Sequence, residues 1–357
     1  MKILKKKISD ICSKGTSSLS LKDLDGKDGD FPVYGAAGLA KKVNFYQQEN
    51  KYLAIIKDGS GVGRLYRFDG KTSVLGTMQY IFPNGNVDYS FCYYALQSID
   101  FKKYVNGAAI PHIYFKDYSQ EEIPLPPMEE QKRIAARLDA VSDLLTKQKQ
   151  LLSEQDTLIQ STFYDMFGDL KCEESTIGNE CILKSGTTFS KDDELDKGEY
   201  IYAKVADMNL QGNEVYIKTS RKYLSKKHVG NLFLNKGSII FPKRGGAIRT
   251  NKKRILIEDS CVDLNIMGVS PRKKLTTQYL YVYFLNLNLE SLCDGCVIPQ
   301  INNKNIAPLK IPVPPLELQE KFAAIVEQIE SEKSKIKSTI AETQPLFNAL
   351  MAEYFED

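Results

Sequence analysis

The stretch IPLPPMEEQKRIAARL at residues 123–138 returns, little altered, as IPVPPLELQEKFAAIV at residues 311–326. Each copy reads as an extended Pro-rich strip, an acidic turn closed by Gln, and the start of an amphipathic helix. The separation is 188 positions, and it also pairs Ile110-Pro111-His112-Ile113 with Ile298-Pro299-Gln300-Ile301, Gly107 with Gly295 and Phe167 with Phe355. Residues 107–169 therefore align with 295–357 without a gap. Unconstrained loops accept insertions at little cost, so a gapless repeat says that length matters here.

After Pro126-Pro127 the first copy has no Pro or Gly until Gly168. Its apolar positions step by four and three through Ile134, Leu138, Val141, Leu145, Leu152 and Ile159, with Gln148 and Gln155 between them. That is a heptad seam. The second copy carries Phe322, Val326, Ile329, Ile336, Ile340 and Phe347 at equivalent places, and Pro345 is expected to kink or break it. Each helix of about 40 residues would be roughly 60 Å long. Such a helix cannot bury its seam inside one small lobe. The simplest arrangement packs the copies on each other, and the alternative lays each helix on its own lobe.

At 357 residues, 42% hydrophobic and 26% charged, the composition is that of a soluble globular chain with room for two or three cores. No apolar run approaches the roughly 18 residues of a membrane span. The basic start MKILKKKISDICSKG lacks the apolar stretch of a signal peptide. Seven scattered cysteines fit a reducing cytoplasm. Net charge is +3, but it alternates along the chain: +6 over residues 1–120, −5 over 121–169, +7 over 170–310 and −5 over 311–357. Both acidic segments are copies of the repeat. The basic remainder suggests a polyanion partner.

Outside the helices the pattern changes to short alternating runs punctuated by Gly and Asn. KYLAIIKDGSGVGRLYRF and GSIIFPKRGGAIRTNKKRILIE both read as strand, Gly-rich loop, strand. The second lobe has the strongest charge signal: residues 215–257 hold twelve Lys/Arg and no Asp or Glu. Gly245-Gly246 would let backbone approach a phosphate, while flanking Arg can bond guanine edges. The candidate nucleic-acid contacts there are Lys204, Lys226, Lys227, Lys243, Arg244, Arg249, Lys252, Lys253 and Arg254. In the first lobe they are Lys57, Arg64, Arg67 and Lys71, around GSGVG and mixed with Asp58 and Asp69. A charge run can also be no more than a solvated face.

Several catalytic signals fail on inspection. Gly70-Lys71-Thr72 lacks the earlier glycine of a phosphate loop, because Leu65 stands there. GSGVG runs into a strand, where a dinucleotide fingerprint opens a helix. Cys293 and Cys296 form a lone CxxC, too few ligands for structural zinc. His112 and His228 join no Ser/Asp or Cys constellation. The Pro-Pro-aromatic pocket of base methyltransferases is absent. No catalytic or metal residue is assigned.

These features resemble the specificity subunit of type I restriction-modification enzymes. The resemblance rests on the two strips, each preceded by a turn (GAAIPHI, GCVIPQI) and followed by a long helix ending in an aromatic (FYDMFGD, AEYFED). FPVYGAAGLAKKVN, and ILKSGTTFS with YIYAKVADMN, look like the starts of the two recognition domains, with Lys204 where Arg is more usual. The resemblance implies an α+β chain: two mixed α/β target-recognition domains at opposite ends of two long antiparallel coiled-coil helices, related by a pseudo-twofold repeat. The segments would be recognition domain 1 (1–122), junction and spacer helix 1 (123–169), recognition domain 2 (170–310), and junction and spacer helix 2 (311–357). It further implies a non-catalytic subunit that reads a bipartite target in double-stranded DNA. Its partners would be two adenine-methylating subunits, which hold S-adenosylmethionine, and two motor-nuclease restriction subunits in the cytoplasm. A coiled-coil scaffold with basic lobes and no sequence readout is the rival, and a stand-alone DNA-modifying enzyme is the third reading.

Overall fold

The computed structural model describes residues 4–107, 110–293 and 298–356, and divides into two units: residues 1–150 with 336–357, and residues 151–335. In the first unit the lobe runs β1 (Leu4–Lys7), α1 (Ile8–Ile11), β2 (Cys12–Thr16), β3 (Asp28–Gly35), β4 (Gly38–Val43), β5 (Tyr52–Ile56), β6 (Leu65–Phe68), β7 (Ser73–Val74), β8 (Met78–Pro83), α2 (Tyr89–Gln97), α3 (Phe115–Tyr118) and β9 (Glu122–Leu125). The long helix α4 (Met128–Phe167) follows. A four-stranded sheet has the order β2-β8-β5-β6 and a three-stranded sheet the order β4-β3-β7. Strand β5, YLAII, is buried at every residue, which explains its unbroken apolar run.

The second lobe repeats this plan: β10 (Glu173–Thr176), α5 (Ile177–Glu180), β11 (Cys181–Ser185), β12 (Tyr200–Ala203), β13 (Tyr216–Ile217), β14 (Tyr223–Leu224), α6 (Lys226–Val229), β15 (Ile239–Pro242), β16 (Arg254–Leu256), β17 (Cys261–Val262), β18 (Ile266–Pro271), α7 (Thr277–Leu285), α8 (Asn303–Ile306) and β19 (Lys310–Val313), followed by α9 (Leu316–Phe355). Its sheets are β11-β18-β15-β16-β13 and β14-β12-β17. The repeat therefore covers the whole lobe. Its first part matches at a different spacing, with Leu4↔Leu125 answered by Glu173↔Val313. Most of the extra residues of the second lobe fall between β12 and β15, where β13 and α6 have no counterpart.

Each Pro-rich strip is a strand. Strand β9 pairs antiparallel with β1, and β19 with β10, each in a two-stranded ribbon. Pro124 and Pro312 sit inside these strands, as proline can where a ladder has a free edge.

Helices α4 and α9 have 40 residues each. Within the first unit they run antiparallel: Arg137 donates to the Tyr354 hydroxyl at 2.9 Å, and Gln148 to Thr343 Oγ1 at 3.5 Å. Within the second, Lys333 meets Asp156 at 2.6 Å, and the rings of Phe163 and Phe322 lie 5.6 Å apart. Ile134, Leu138, Leu145, Ile159, Phe322, Val326 and Ile329 are buried; Val141, Leu152, Ile336, Ile340 and Phe347 are half-buried. Ile134 and Leu138 also join the core of Ile8, Leu53 and Phe91, and Ile159 and Phe322 join that of Phe241 and Tyr279. Helix pairing and helix-on-lobe packing, posed as alternatives from the sequence, thus occur together.

Of the kink or break expected at Pro345, the break is corrected. Helix α9 runs without a break through Pro345. A proline inside a helix removes one backbone hydrogen bond, but the side chains on both sides are anchored. Thr343 is buried beside Gln148, and the Phe347 ring lies 6.1 Å from that of Tyr94.

Candidate nucleic-acid interface

In each lobe the Gly-containing segment after a central strand is held by the Ile-Pro-x-Ile turn. In the second lobe this segment, expected to be a loop, is a short 3-10 helix over Gly245–Thr250. In the first lobe the Gly59 N–H donates to Pro111 O at 2.8 Å and the Ile113 N–H to Lys57 O at 3.0 Å. In the second the Gly245 N–H donates to Pro299 O at 2.8 Å and the Ile301 N–H to Lys243 O at 2.9 Å. Asp58 is bridged to His112, and Arg244 to Gln300. Two motifs that are distant in sequence thus make one clip, built the same way twice. Gly59 and Gly245 have φ of +96° and +70°, and a Cβ built on either would touch nothing. Their backbone angle, not crowding, demands glycine, and the space in front of them is open.

His112 and Gln300, not among the sequence candidates, pair through the backbone with Asp58 and Arg244. The signal was present in the repeat, which aligns IPHI with IPQI. Beside them Ile110 is 67% exposed and Ile298 62% exposed, an unusual position for isoleucine to hold twice. Ala108, Ala109 and residues 294–297, including Gly295 and Cys296 of the CxxC, lie outside the described residues.

The basic candidates divide into three groups. Arg64, Lys71, Lys226, Lys227 and Arg244 are exposed, and among the described residues their side chains make no ion pair. A second group is partnered, with Lys57, Lys243 and Lys252 half-buried and Arg249 exposed. Lys57 lies 3.7 Å from Asp58 and Arg249 3.0 Å from Glu290. Lys243 donates to Ser185 Oγ at 2.9 Å and Lys252 to Asn209 Oδ1. Burial, and then the neighbouring Arg244, hold the Lys243 pKa below its ordinary value.

The third group is built into the protein. Arg67 forms a 2.5 Å ion pair with Asp139 of α4 and lies over the Tyr93 ring at 4.6 Å. Lys204 meets Glu194 at 2.6 Å and lies over the Tyr202 ring. Arg254 donates to Lys253 O at 2.8 Å and Met208 O at 3.0 Å. Lys253 is only 1% exposed, with Nζ donating to Asn251 Oδ1 at 2.8 Å and Leu287 O at 2.7 Å, and burial pushes its pKa down to about 8. The phosphate contact expected of Lys253 is corrected by this geometry: its ammonium faces inward. Likewise, the acid-free run 215–257 is not acid-free in space. Lys222 meets Asp196 at 2.8 Å, Arg221 meets Asp207 at 3.9 Å, and His228 meets Asp193 at 3.2 Å.

Among the described residues no helix is long and apolar enough to cross a membrane. The family model for the type I restriction modification DNA specificity domain matches residues 2–154 and again 170–343. A putative type I restriction enzyme specificity subunit from Haemophilus influenzae is 24% identical, over 89% of this chain and 84% of its own length. A type I restriction enzyme specificity subunit from Methanocaldococcus jannaschii is 25% identical, over 79% and 73%. The fold is that of the S subunit of a type I restriction-modification system from M. genitalium, at a TM-score of 0.68 and 17% identity, covering 100% of this chain and 97% of that one. A double match that spans nearly the whole sequence leads to one conclusion: this chain belongs to the type I restriction-modification specificity-subunit family.

Proposed function

We infer that this chain is the DNA-reading, non-catalytic subunit of a cytoplasmic type I restriction-modification complex, and that each lobe reads one half of a bipartite duplex target. The observation that carries this reading is the duplicated clip. Both lobes hold a Gly-containing segment beside exposed cations, with the same turn at its back and open space in front. Phosphate attraction supplies affinity, and side chains on such segments reach base edges. The catalytic groups then belong to partners: two methyltransferase subunits, which bind S-adenosylmethionine, and two restriction subunits. Leu151 and Leu158, seven residues apart on α4, are 45% and 46% exposed, and such an apolar stripe on a paired helix favours a docked partner helix.

The test is reconstitution with a methyltransferase subunit, followed by sequencing of methylated DNA. Replacing residues 1–106 by the matching segment of a relative is expected to change one half of the methylated target and leave the other intact. A change in both halves together would argue for a single composite site. Methylation without sequence preference would favour the scaffold reading.

A further inference from the structure

The two units differ at one place where the repeat makes them comparable. In the first, Arg67, Tyr94 and Phe347 meet: the guanidinium lies 5.6 Å from the Tyr94 ring, and that ring 6.1 Å from Phe347. The equivalent residues of the second unit are Ile255, Val282 and Ile159, each of them smaller. Lobe and helices cannot close over three truncated side chains at once, and interiors do not tolerate such loss without a void. The second unit has a cavity of about 170 Å³ at this place, lined by all three.

Its walls are mainly apolar, with Val215, Tyr216, Tyr281, Leu285 and Val326 beside those three. The polar edge holds Gln160, Gln278 and one charged cluster. Lys333 Nζ sits 2.6 Å from both Asp156 Oδ1 and Glu330 Oε1, one cation between two carboxylates. Burial alone would lower the Lys333 pKa, but the two carboxylates raise it above the ordinary value. The edge therefore carries one net negative charge.

We propose that this cavity is a ligand site for a small aromatic molecule, neutral or cationic. The size is appropriate, since an apolar cavity of about 150 Å³ accepts benzene. The tyrosine rings in its wall suit an aromatic or cationic guest. The negative edge excludes an anionic one. The repeat supplies the template: in the first unit the same place is filled by two aromatic rings and a guanidinium. A guest would join α7 and β16 to both long helices within this unit, and would stabilise the folded chain by binding it alone.

The experiment is thermal unfolding of the full chain with indole, benzylamine or benzoate, and titration calorimetry with each. Indole and benzylamine are expected to raise Tm with saturable binding, and benzoate to do neither. Ile159→Phe, which copies Phe347, should raise Tm without ligand and weaken indole roughly tenfold or more. Should that variant misfold, Val282→Tyr makes the same test by copying Tyr94. The proposal is overturned if indole and benzylamine leave Tm unchanged, if benzoate binds equally well, or if the filled variants keep full affinity for indole. None of these outcomes depends on DNA binding.

Discussion

Gln319 accepts a hydrogen bond from the Thr276 N–H at 2.9 Å, and Thr276 is the N-cap of α7. The same amide donates to Pro314 O at 2.8 Å and Lys274 O at 2.9 Å. Gln131 does the equivalent 188 residues earlier, accepting from Asp88 at 2.8 Å and donating to Pro126 O at 2.9 Å and Asn86 O at 3.2 Å. One buried side chain thus ties the strip, the long helix and the lobe together, which explains the Gln that closes each acidic turn. Gln319→Glu keeps the shape but replaces the donor by a carboxylate, leaving two carbonyls unmet. It is expected to lower the unfolding free energy at neutral pH by about 1–3 kcal/mol, read by urea denaturation. Gln131→Glu should behave alike.

Asp139 should give the first unit a measurable acid sensitivity. Burial alone would raise its pKa, but the Tyr94 hydroxyl, at 2.7 Å, and Arg67 hold it below the ordinary carboxylate value. A carboxyl depressed on folding adds stability above its unfolded pKa, near 3.9, and loses it as pH falls through the folded value. Asp139→Asn is therefore expected to be less stable than the parent at pH 7. The gap should narrow as pH drops below about 4. Denaturation midpoints across pH 2–7 check this, and a constant gap would mean that charge is not what Asp139 contributes.

The sequence made the helices legible because periodicity is a backbone rule written in side chains: the step from Ile134 to Leu138 and Val141 needs no knowledge of the partner. The clip was half legible. The repeat marked IPHI and IPQI, but nothing local says that the loop at Gly59 folds back onto Pro111. Ion pairing between distant segments was not legible. Lys222 and Asp196 are 26 residues apart, and Arg67 and Asp139 are 72 apart, so a count of charges along the chain could not show which cations the fold had already used. The extension of the repeat into β1 and β10 is not legible in the sequence, because those strands share hydrogen-bond register, not side chains.

Ile110 and Ile298 stand exposed beside the two clips, and burial within the fold does not explain them. Apolar side chains at a DNA surface contact thymine methyl groups or wedge between base steps. Ile298→Ser is expected to leave the unfolding midpoint unchanged while weakening binding of the cognate duplex. An Ile110→Ser variant should relax preference in the other half of the target. Competition binding with single-base variants of each half-site reads both effects. Equal affinity of parent and variants for every duplex would remove these residues from the interface.

The salt dependence of binding should separate the cations that face solvent from those that face the protein. Each neutralised phosphate contributes about −0.9 to the slope of log affinity against log salt. Lys226 and Lys227, exposed on α6, are expected to flatten that slope when both are changed to Ala, and to weaken binding to all sequences alike. Arg244→Ala should instead relax base choice in one half-site, by about 1–3 kcal/mol if its contact is bidentate. Lys253→Met is the control from within the same run of charge. Its ammonium already serves Asn251 and Leu287, so the variant should lose stability and keep the parent slope wherever it remains folded. A flattened slope in folded Lys253→Met protein would mean that this side chain turns outward when DNA arrives, and that the buried geometry belongs to the unbound chain alone.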